Sequence, residues 1–135
     1  MDGASRGNPG PAGAGAVLRD GTDAAKEFSW YLGETTNNVA EYLALIYALQ
    51  EALKHRYTHV AVKTDSELLV RQLQGAYKVR EPHLRLLYDL ATHLIGAFAQ
   101  CELAHVPRER NAAADRLAGL AATSRQTHRS SHSVL

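Results

Sequence analysis

The stretch TTNNVAEY at residues 35–42 marks the point where a polar segment gives way to a long apolar helix. Asn38 is a favourable N-cap residue, and Glu41 stands three positions later, at the spacing of a capping box. Taken alone, this stretch predicts the start of a helix and nothing more. Three more acidic residues stand at comparable junctions elsewhere in the chain, namely Asp2, Asp65 and Asp115. Four carboxylates at element ends indicate a shared site.

The periodicity of apolar residues on either side of this stretch predicts an α/β fold. Apolar residues recur at helical spacing through residues 39–54, and three further helices are expected at residues 66–75, 82–98 and 111–123. Short strands are expected around Asp2 and at residues 14–19, 26–33, 59–63 and 101–106. The glycine- and proline-rich residues 1–13 are expected to form a loop, apart from the few residues around Asp2 that are granted to the first strand. This order predicts a mixed five-stranded sheet flanked by helices.

The composition limits the class of protein. A chain of 135 residues with 45% hydrophobic content is expected to form one domain, at residues 1–123, followed by a disordered tail at residues 124–135. A formal charge of +1 excludes a strongly basic nucleic-acid binder. With one cysteine, Cys101, no leader-like start and no long apolar run, we expect a cytoplasmic protein, with a monomer as the default, that does not enter a membrane.

Four converging carboxylates predict a metal site. Like charges at short range raise each other's pKa, and a divalent cation removes this conflict. Oxygen ligands without thiolate or imidazole favour Mg²⁺ or Mn²⁺. Two such ions roughly 4 Å apart activate a water and stabilise a leaving oxygen at phosphorus. The plainer alternative is that acids at helix N-termini interact favourably with the helix dipole.

Four separate motifs favour the metal site. They are Asp2-Gly3 with GNPGP at residues 7–11, TNNVAE at residues 36–41, Thr64-Asp65-Ser66, and Asn111 with Asp115. Together they resemble the ribonuclease H family, type 1, over residues 2–122. The resemblance implies that Asp2, Glu41, Asp65 and Asp115 bind two metal ions and cleave the RNA strand of an RNA–DNA hybrid. The products would carry 5′-phosphate and 3′-hydroxyl ends.

The resemblance also implies which residues contact the substrate, without reading its sequence. Asn38 and Asn8 match positions near RNA 2′-hydroxyls, and Thr36 matches a position near a DNA phosphate. The full expected set of substrate contacts is Gly3, Asn8, Thr36, Asn37, Asn38, Ser66 and Asn111. Apart from the resemblance, the asparagines are ordinary turn residues and Ser66 is a good N-cap.

Three departures from the family pattern are expected to matter. The first strand is shorter than the family's by about five residues, which indicates a truncated start, a weakened protein or a strand supplied by a partner. The basic insert that many bacterial members carry is absent, as in the shorter subgroup of the family. The loop at residues 107–110 has no equivalent of the family's mobile histidine, and either Arg108 or Arg110 is a candidate to assist product release.

Two alternatives to the hybrid-cleaving enzyme remain open from the sequence. One is a weak or inactive module that binds RNA–DNA hybrids or double-stranded RNA. The other is a different nuclease or an integrase-like enzyme of the same fold, because fold alone does not fix the substrate.

Overall fold

The computed structural model describes residues 1–21 and 25–132. The described strands are β1 (Asp2–Ser5), β2 (Gly10–Arg19), β3 (Ala25–Thr35), β4 (His59–Thr64), β5 (Gln100–His105) and β6 (His128–His132). The described helices are α1 (Asn37–Lys54), α2 (Glu67–Leu73), α3 (Pro82–Gly96) and α4 (Ala112–Ser124), with a short 3₁₀ turn at Arg108–Arg110 before α4. The predicted α/β class and the order of its helices are confirmed.

The described strands form a four-stranded sheet and a two-stranded sheet, whereas a single five-stranded sheet was predicted. Strands β1, β2, β3 and β6 pair in that order, all antiparallel, while β4 pairs with β5 in parallel. The amino group of Met1 donates a hydrogen bond of 2.8 Å to the carbonyl oxygen of Lys63, and this contact joins β1 to β4. Because β1 has four residues, it reaches β4 only at this end.

Strand β2 begins at Gly10, inside the segment that was expected to be a loop. Within this strand, Gly13 serves close packing and not a turn. A Cβ on Gly13 would lie 2.1 Å from the carbonyl oxygen of Ala118, so the bare backbone of β2 lets α4 pack directly on it. The composition that predicted a loop therefore reflects a strand pressed against a helix.

In strand β3, the predicted alternation of buried apolar and exposed polar residues holds only for the apolar residues. Phe28 and Trp30 are buried and stack on each other, with ring centroids 5.3 Å apart. Ser29, which was expected to face outwards, is also buried, and its hydroxyl donates to the carbonyl oxygen of Leu117. Both faces of β3 are covered, because α1 packs on one side of the sheet and α4 on the other.

The N-cap of helix α1 lies two residues before the predicted cap, Asn38. Thr36 is the N-cap, and its hydroxyl accepts from the amide of Val39 at 3.3 Å. Asn38 therefore lies within the first turn, and Glu41 lies beyond the position that a capping-box acid would occupy. The helix places its apolar face in the core through Tyr42, Leu45 and Leu49, each at most 2% exposed.

The expectation of a disordered tail from residue 124 is wrong for residues 128–132. These residues form β6, which pairs with β3 from His128 opposite Ser29 to His132 opposite Ala25. Arg129 makes an ion pair of 3.0 Å with the buried Glu51 and lies over the ring of Phe28. These contacts hold residues 128–132 against β3, although their polar sequence shows no strand periodicity. In the described ranges, no helix has the length and hydropathy needed to cross a membrane.

Candidate active site

Three of the four predicted acids meet where β1, α1 and the end of β4 come together. Asp2 lies on β1, Glu41 one turn into α1, and Asp65 directly after β4. One carboxylate oxygen from each lies within 4.8 Å of the others. The fourth acid, Asp115 in the first turn of α4, lies outside this cluster and lines the same groove. The structure therefore brings three of the four predicted acids together, with Asp115 beside them on α4 in the same groove.

Burial and mutual repulsion make two of these carboxyl groups hard to ionise. Burial raises the pKa of Asp2 to about 9, and the charges of Glu41 and Asp65 act in the same direction. Burial likewise raises the pKa of Glu41 to about 7, although the hydrogen bond from Gly3 opposes the change. The free energy of holding these groups as anions is therefore high unless a positive charge lies between them.

Close contact between β1 and α1 fixes the position of Glu41. The amide of Gly3 donates a hydrogen bond of 2.9 Å to Oε1 of Glu41. A Cβ on Gly3 would lie 2.2 Å from the carbonyl oxygen of Ala40, so only glycine allows α1 to approach this closely. Oε2 of Glu41 is buried and finds no hydrogen-bond partner among the residues that the structure describes.

Asn111 supports Asp65 from beneath the site. It is 7% exposed and lies immediately before α4. Its side-chain amide donates to the carbonyl oxygen of Met1 at 2.9 Å and approaches Oδ1 of Asp65 at 3.5 Å. One side chain thus ties the start of α4 to both β1 and the residue that follows β4.

Asp115 faces a cation across the site. Its Oδ1 lies 3.6 Å from a guanidinium nitrogen of Arg108, whose side chain is 77% exposed. Arg108 lines the same groove as the acids, whereas Arg110 lines a different cavity between β2 and β4. Of the two arginines considered from sequence, only Arg108 stands at the carboxylates.

The carboxylates fit a divalent metal ion. Their donor set consists of oxygens alone, which suits Mg²⁺ or Mn²⁺. A buried carboxylate oxygen without a partner, Oε2 of Glu41, is a costly group for a protein to retain unless it binds something. A cation at this point would also remove the repulsion that raises the pKa of Asp2 and Glu41.

The predicted substrate contacts fall into two groups. Gly3 and Asn111 are buried beneath the carboxylates, and Ser66 caps α2 by accepting from the amide of Leu69. The others lie along the rim formed by the start of α1 and the loop before β2, namely Asn8, Thr36, Asn37 and Asn38. There, Oδ1 of Asn8 accepts from the amide of Asn37 at 3.1 Å, which links the loop to the helix.

Sequence reasoning missed two residues of this rim. The amide and the hydroxyl of Ser5 both donate to Oδ1 of Asn37, at 2.8 Å and 3.0 Å. Arg6 lines the groove beside the acids, and its guanidinium donates to the hydroxyl of Thr123 at 3.0 Å. The only signal for either residue was its place in the loop that follows Asp2. The groove that these side chains border has a volume of about 680 Å³.

Comparison with known proteins agrees with this geometry. Residues 1–121 match the family described as reverse transcriptase-like. The solved structure of RNase H1 from the archaeon Halobacterium salinarum NRC-1 aligns with a TM-score of 0.86 and 41% identity, over 93% of this chain and 95% of that chain. The chain belongs to the type 1 ribonuclease H family.

Two other members of the ribonuclease H family are informative. LC11-RNase H1, isolated from compost, has been solved in complex with an RNA/DNA hybrid. It aligns with a TM-score of 0.84 and 45% identity, over 92% of this chain and 94% of that one. A bifunctional protein of Mycobacterium tuberculosis is 48% identical over 119 residues. That match covers 87% of this chain and 33% of the mycobacterial protein, so the chain spans about a third of this relative's length.

Proposed function

We propose that this chain is a metal-dependent endoribonuclease that cleaves the RNA strand of RNA–DNA hybrids without sequence preference. The observation that carries the proposal is the convergence of carboxylate oxygens from Asp2, Glu41 and Asp65 within 4.8 Å. The hybrid bound by LC11-RNase H1, at 45% identity, supports the choice of substrate. The products would carry 5′-phosphate and 3′-hydroxyl ends.

Asp2, Glu41, Asp65 and Asp115 would hold two Mg²⁺ or Mn²⁺ ions. When bound, such ions supply an activated water and stabilise the leaving oxygen of an in-line displacement at phosphorus. The protein contributes the positions of the ligands. Gly3 fixes one oxygen of Glu41, and Asn111 holds Asp65 against the end of β1. Because both supports come from packed strands and helices, the ligands need little rearrangement on binding.

The rim at the start of α1 would position the hybrid. Asn37 and Asn38 are exposed in the first turn of α1, where backbone N–H groups are favourable for phosphate. The contacts of Ser5 and Asn8 with Asn37 hold the loop before β2 against that turn. Short amide and hydroxyl side chains reach sugar edges in a minor groove without distinguishing bases. Cleavage independent of sequence follows from this arrangement.

Arg108 would bind the phosphate group that is cleaved or released. It is exposed, stands 3.6 Å from Asp115 and lines the groove with the acids. A guanidinium forms charge-assisted hydrogen bonds with phosphate oxygens, so it offsets the negative charge that the carboxylates bring to the site. We further propose that the protein is a monomer and acts in the cytoplasm, in keeping with its single cysteine.

The proposal is tested with four labelled substrates of identical sequence, namely three duplexes (RNA–DNA hybrid, double-stranded RNA and double-stranded DNA) and single-stranded RNA. With Mg²⁺ or Mn²⁺, we expect internal cuts in the RNA of the hybrid, abolished by excess chelator. Labelling the new 5′ end only after phosphatase treatment would identify a 5′-phosphate. Cleavage of double-stranded DNA alone would favour another nuclease of this fold. Binding to the hybrid without any cleavage would favour the binding module.

A further inference from the structure

Arg6 is a second cation in the groove that contains the acids. It lies in the loop between β1 and β2, is exposed, and lines this groove together with Arg108. Arg108 lies 3.6 Å from Asp115. Arg6, in contrast, pairs with no carboxylate in the part of the chain that the structure describes. Its charge is therefore available to an anion that enters the groove.

The guanidinium of Arg6 lies along one face of α4. Its Nη2 donates a hydrogen bond of 3.0 Å to Oγ1 of Thr123. A Cβ on Gly119 would lie 3.2 Å from the same nitrogen, so the bare backbone of residue 119 leaves room for the guanidinium beside the helix. Asp115, Gly119 and Thr123 follow one another at intervals of four residues and therefore share one face of α4. The helix thus places one acid of the groove and Arg6 on the same side.

The loop fixes the backbone from which this side chain extends. The amide of Arg6 donates a hydrogen bond of 2.7 Å to the carbonyl oxygen of Pro11, which closes the loop on itself. The preceding residue, Ser5, is bonded to Asn37 at the start of α1. A fixed backbone and one side-chain bond order the guanidinium before a ligand arrives, which lowers the entropy that is lost on binding.

Most donors of the guanidinium are unused. An arginine side chain has five N–H groups in a planar arrangement. Thr123 is the only residue within 1–21 and 25–132 that accepts from the side chain of Arg6. Parallel N–H groups of a guanidinium match two oxygens of one phosphate, which gives a strong charge-assisted contact. A phosphate of the nucleic-acid backbone is therefore the anion that fits Arg6 best.

The position of the guanidinium along α4 indicates which phosphate it reaches. At 1.5 Å per residue, Gly119 lies about 6 Å and Thr123 about 12 Å further along the helix than Asp115. One strand of a duplex carries a phosphate at about every 3.4 Å of its axis. Arg6 therefore lies about two to three phosphates away from the acids. Arg108, at 3.6 Å from Asp115, is close enough to share the phosphate at the acids, whereas Arg6 is not.

We propose that Arg6 binds a phosphate of the RNA strand about two to three nucleotides from the cleaved bond. The inference rests on the proposed function, because the acids determine which strand lies along α4. Arg6 holds the RNA strand in position along the groove and takes no part in the reaction itself. Its loss should therefore raise KM for the hybrid and leave kcat unchanged.

The first test measures hybrid binding by the full chain carrying Asp65→Asn, so that the substrate stays intact. We expect Arg6→Gln to weaken binding about tenfold, because it removes a charge-assisted contact. The slope of log affinity against log salt concentration should decrease by about one, whereas Arg6→Lys keeps the charge and should keep the slope. Lys54→Gln is the matched control, since it removes an exposed charge about 20 Å along α1 from Glu41. It should change neither affinity nor slope.

A second test locates the contact with hybrids that each carry one uncharged methylphosphonate linkage. The modified nucleotide and its unmodified reference both have a 2′-O-methyl sugar, so only the charge differs. At one linkage of the RNA strand, about two to three nucleotides from the cut, binding by the Asp65→Asn protein should fall about tenfold. Binding by the protein that also carries Arg6→Gln should fall no further at that linkage. Linkages of the DNA strand should affect both proteins equally.

Thr123→Val separates binding from a structural role, because it removes the bond to Arg6 and leaves the charge. If Arg6→Gln and Thr123→Val lower the melting temperature equally and neither changes the salt slope, the role of Arg6 is structural and the proposal fails. A matching linkage in the DNA strand would instead place Arg6 on the uncut strand. A lower kcat with unchanged hybrid binding would place it in the reaction.

Failure of the proposed function is seen separately. If the parent chain does not cut the hybrid, the proposed reaction is contradicted. The salt slope and the linkage scan still decide whether Arg6 binds a phosphate, since both are measured on the uncleaved hybrid.

Discussion

The amide of Gly3 and Oε1 of Glu41 are joined by a hydrogen bond of 2.9 Å that couples the first strand to the first helix at the carboxylates. We predict that Gly3→Ala separates them, because the new Cβ would lie 2.2 Å from the carbonyl oxygen of Ala40. Overpacking of this kind costs about 1–3 kcal/mol of unfolding free energy. Hybrid cleavage should fall by about 10- to 100-fold, since Glu41 moves with the helix.

Gly96→Ala is the matched control for this variant. A Cβ on Gly96, at the end of α3, would meet nothing within 4 Å. Its melting temperature and cleavage rate should equal or slightly exceed those of the parent, because alanine is the better helix former. A Gly3→Ala protein as stable and active as the Gly96→Ala protein would show that the close approach of β1 and α1 is not required.

Asn111→Ala should weaken both the fold and metal binding. The side chain bonds the carbonyl oxygen of Met1 and approaches Asp65, and its loss leaves a buried acceptor unpaired. We expect a loss of about 1–3 kcal/mol in the free energy of unfolding. Affinity for Mn²⁺, measured by calorimetry, should fall by about tenfold or more, as for other residues that orient a ligand.

Asn38→Ala provides the comparison at an exposed asparagine. Its melting temperature and Mn²⁺ affinity should match those of the parent, while its KM for the hybrid rises. If Asn111→Ala instead changed KM alone, Asn111 would be a substrate contact, as the sequence predicted, and not a positioning residue.

Asp2→Asn should change how stability depends on pH. The pKa of Asp2 is raised to about 9 in the folded protein, above its ordinary value of 3.8, so the folded state holds a proton that the unfolded state releases. Without metal, this group makes stability fall as pH rises from about 4 to about 9. Asn carries no such proton, so the difference between variant and parent should grow over this range to at least about 1.4 kcal/mol, the free energy of one pKa unit.

Added Mg²⁺ should stabilise the parent more than the Asp2→Asn variant. A cation favours the ionised form of Asp2, so the parent gains stability on adding Mg²⁺ at pH 8 and the variant gains less. Urea unfolding at several pH values, with and without Mg²⁺, measures both effects. Parallel stability curves for the two proteins across pH 4–9 would contradict the raised pKa.

Arg108→Ala should slow turnover without affecting the fold. The side chain is exposed and its pairing with Asp115 spans 3.6 Å, so its contribution to stability is at most about 0.5 kcal/mol. A charge-assisted contact to phosphate corresponds to a loss of about three- to tenfold in kcat. Arg110→Ala is the matched control, because Arg110 lines the other cavity. Equal turnover for the two variants would exclude Arg108 from the reaction.

Much of the site was predictable because its acidic residues stand next to predicted junctions between strands, helices and loops. Asp2, Glu41 and Asp65 converge as predicted, since Asp2 begins β1, Asp65 directly follows β4 and Glu41 lies one turn into α1. The chemical roles of the single residues stay predictions. Choosing between Arg108 and Arg110 required the fold, because they are two residues apart in one turn and line different cavities.

The errors in the fold have common physical causes. Thr36 and Asn38 are both good caps, and only the path of the chain after β3 decides that Thr36 is used. Gly13 was assigned to a loop because glycine marks turns more often than close packing against a helix. Strand β6 pairs with β3, and its Arg129 forms an ion pair with Glu51; both partners are far away in sequence, so local periodicity gave no sign of the strand.

The most direct test of the four-carboxylate site is a comparison of the parent and Asp65→Asn on one labelled RNA–DNA hybrid. Cleavage in Mn²⁺ and hybrid binding are measured on the same samples. We predict that the parent cuts the RNA strand, and that Asp65→Asn binds the hybrid with similar affinity but cuts it at least about 1,000-fold more slowly. Equal cleavage by both proteins, or binding without cleavage by the parent in Mn²⁺, would contradict the proposed function.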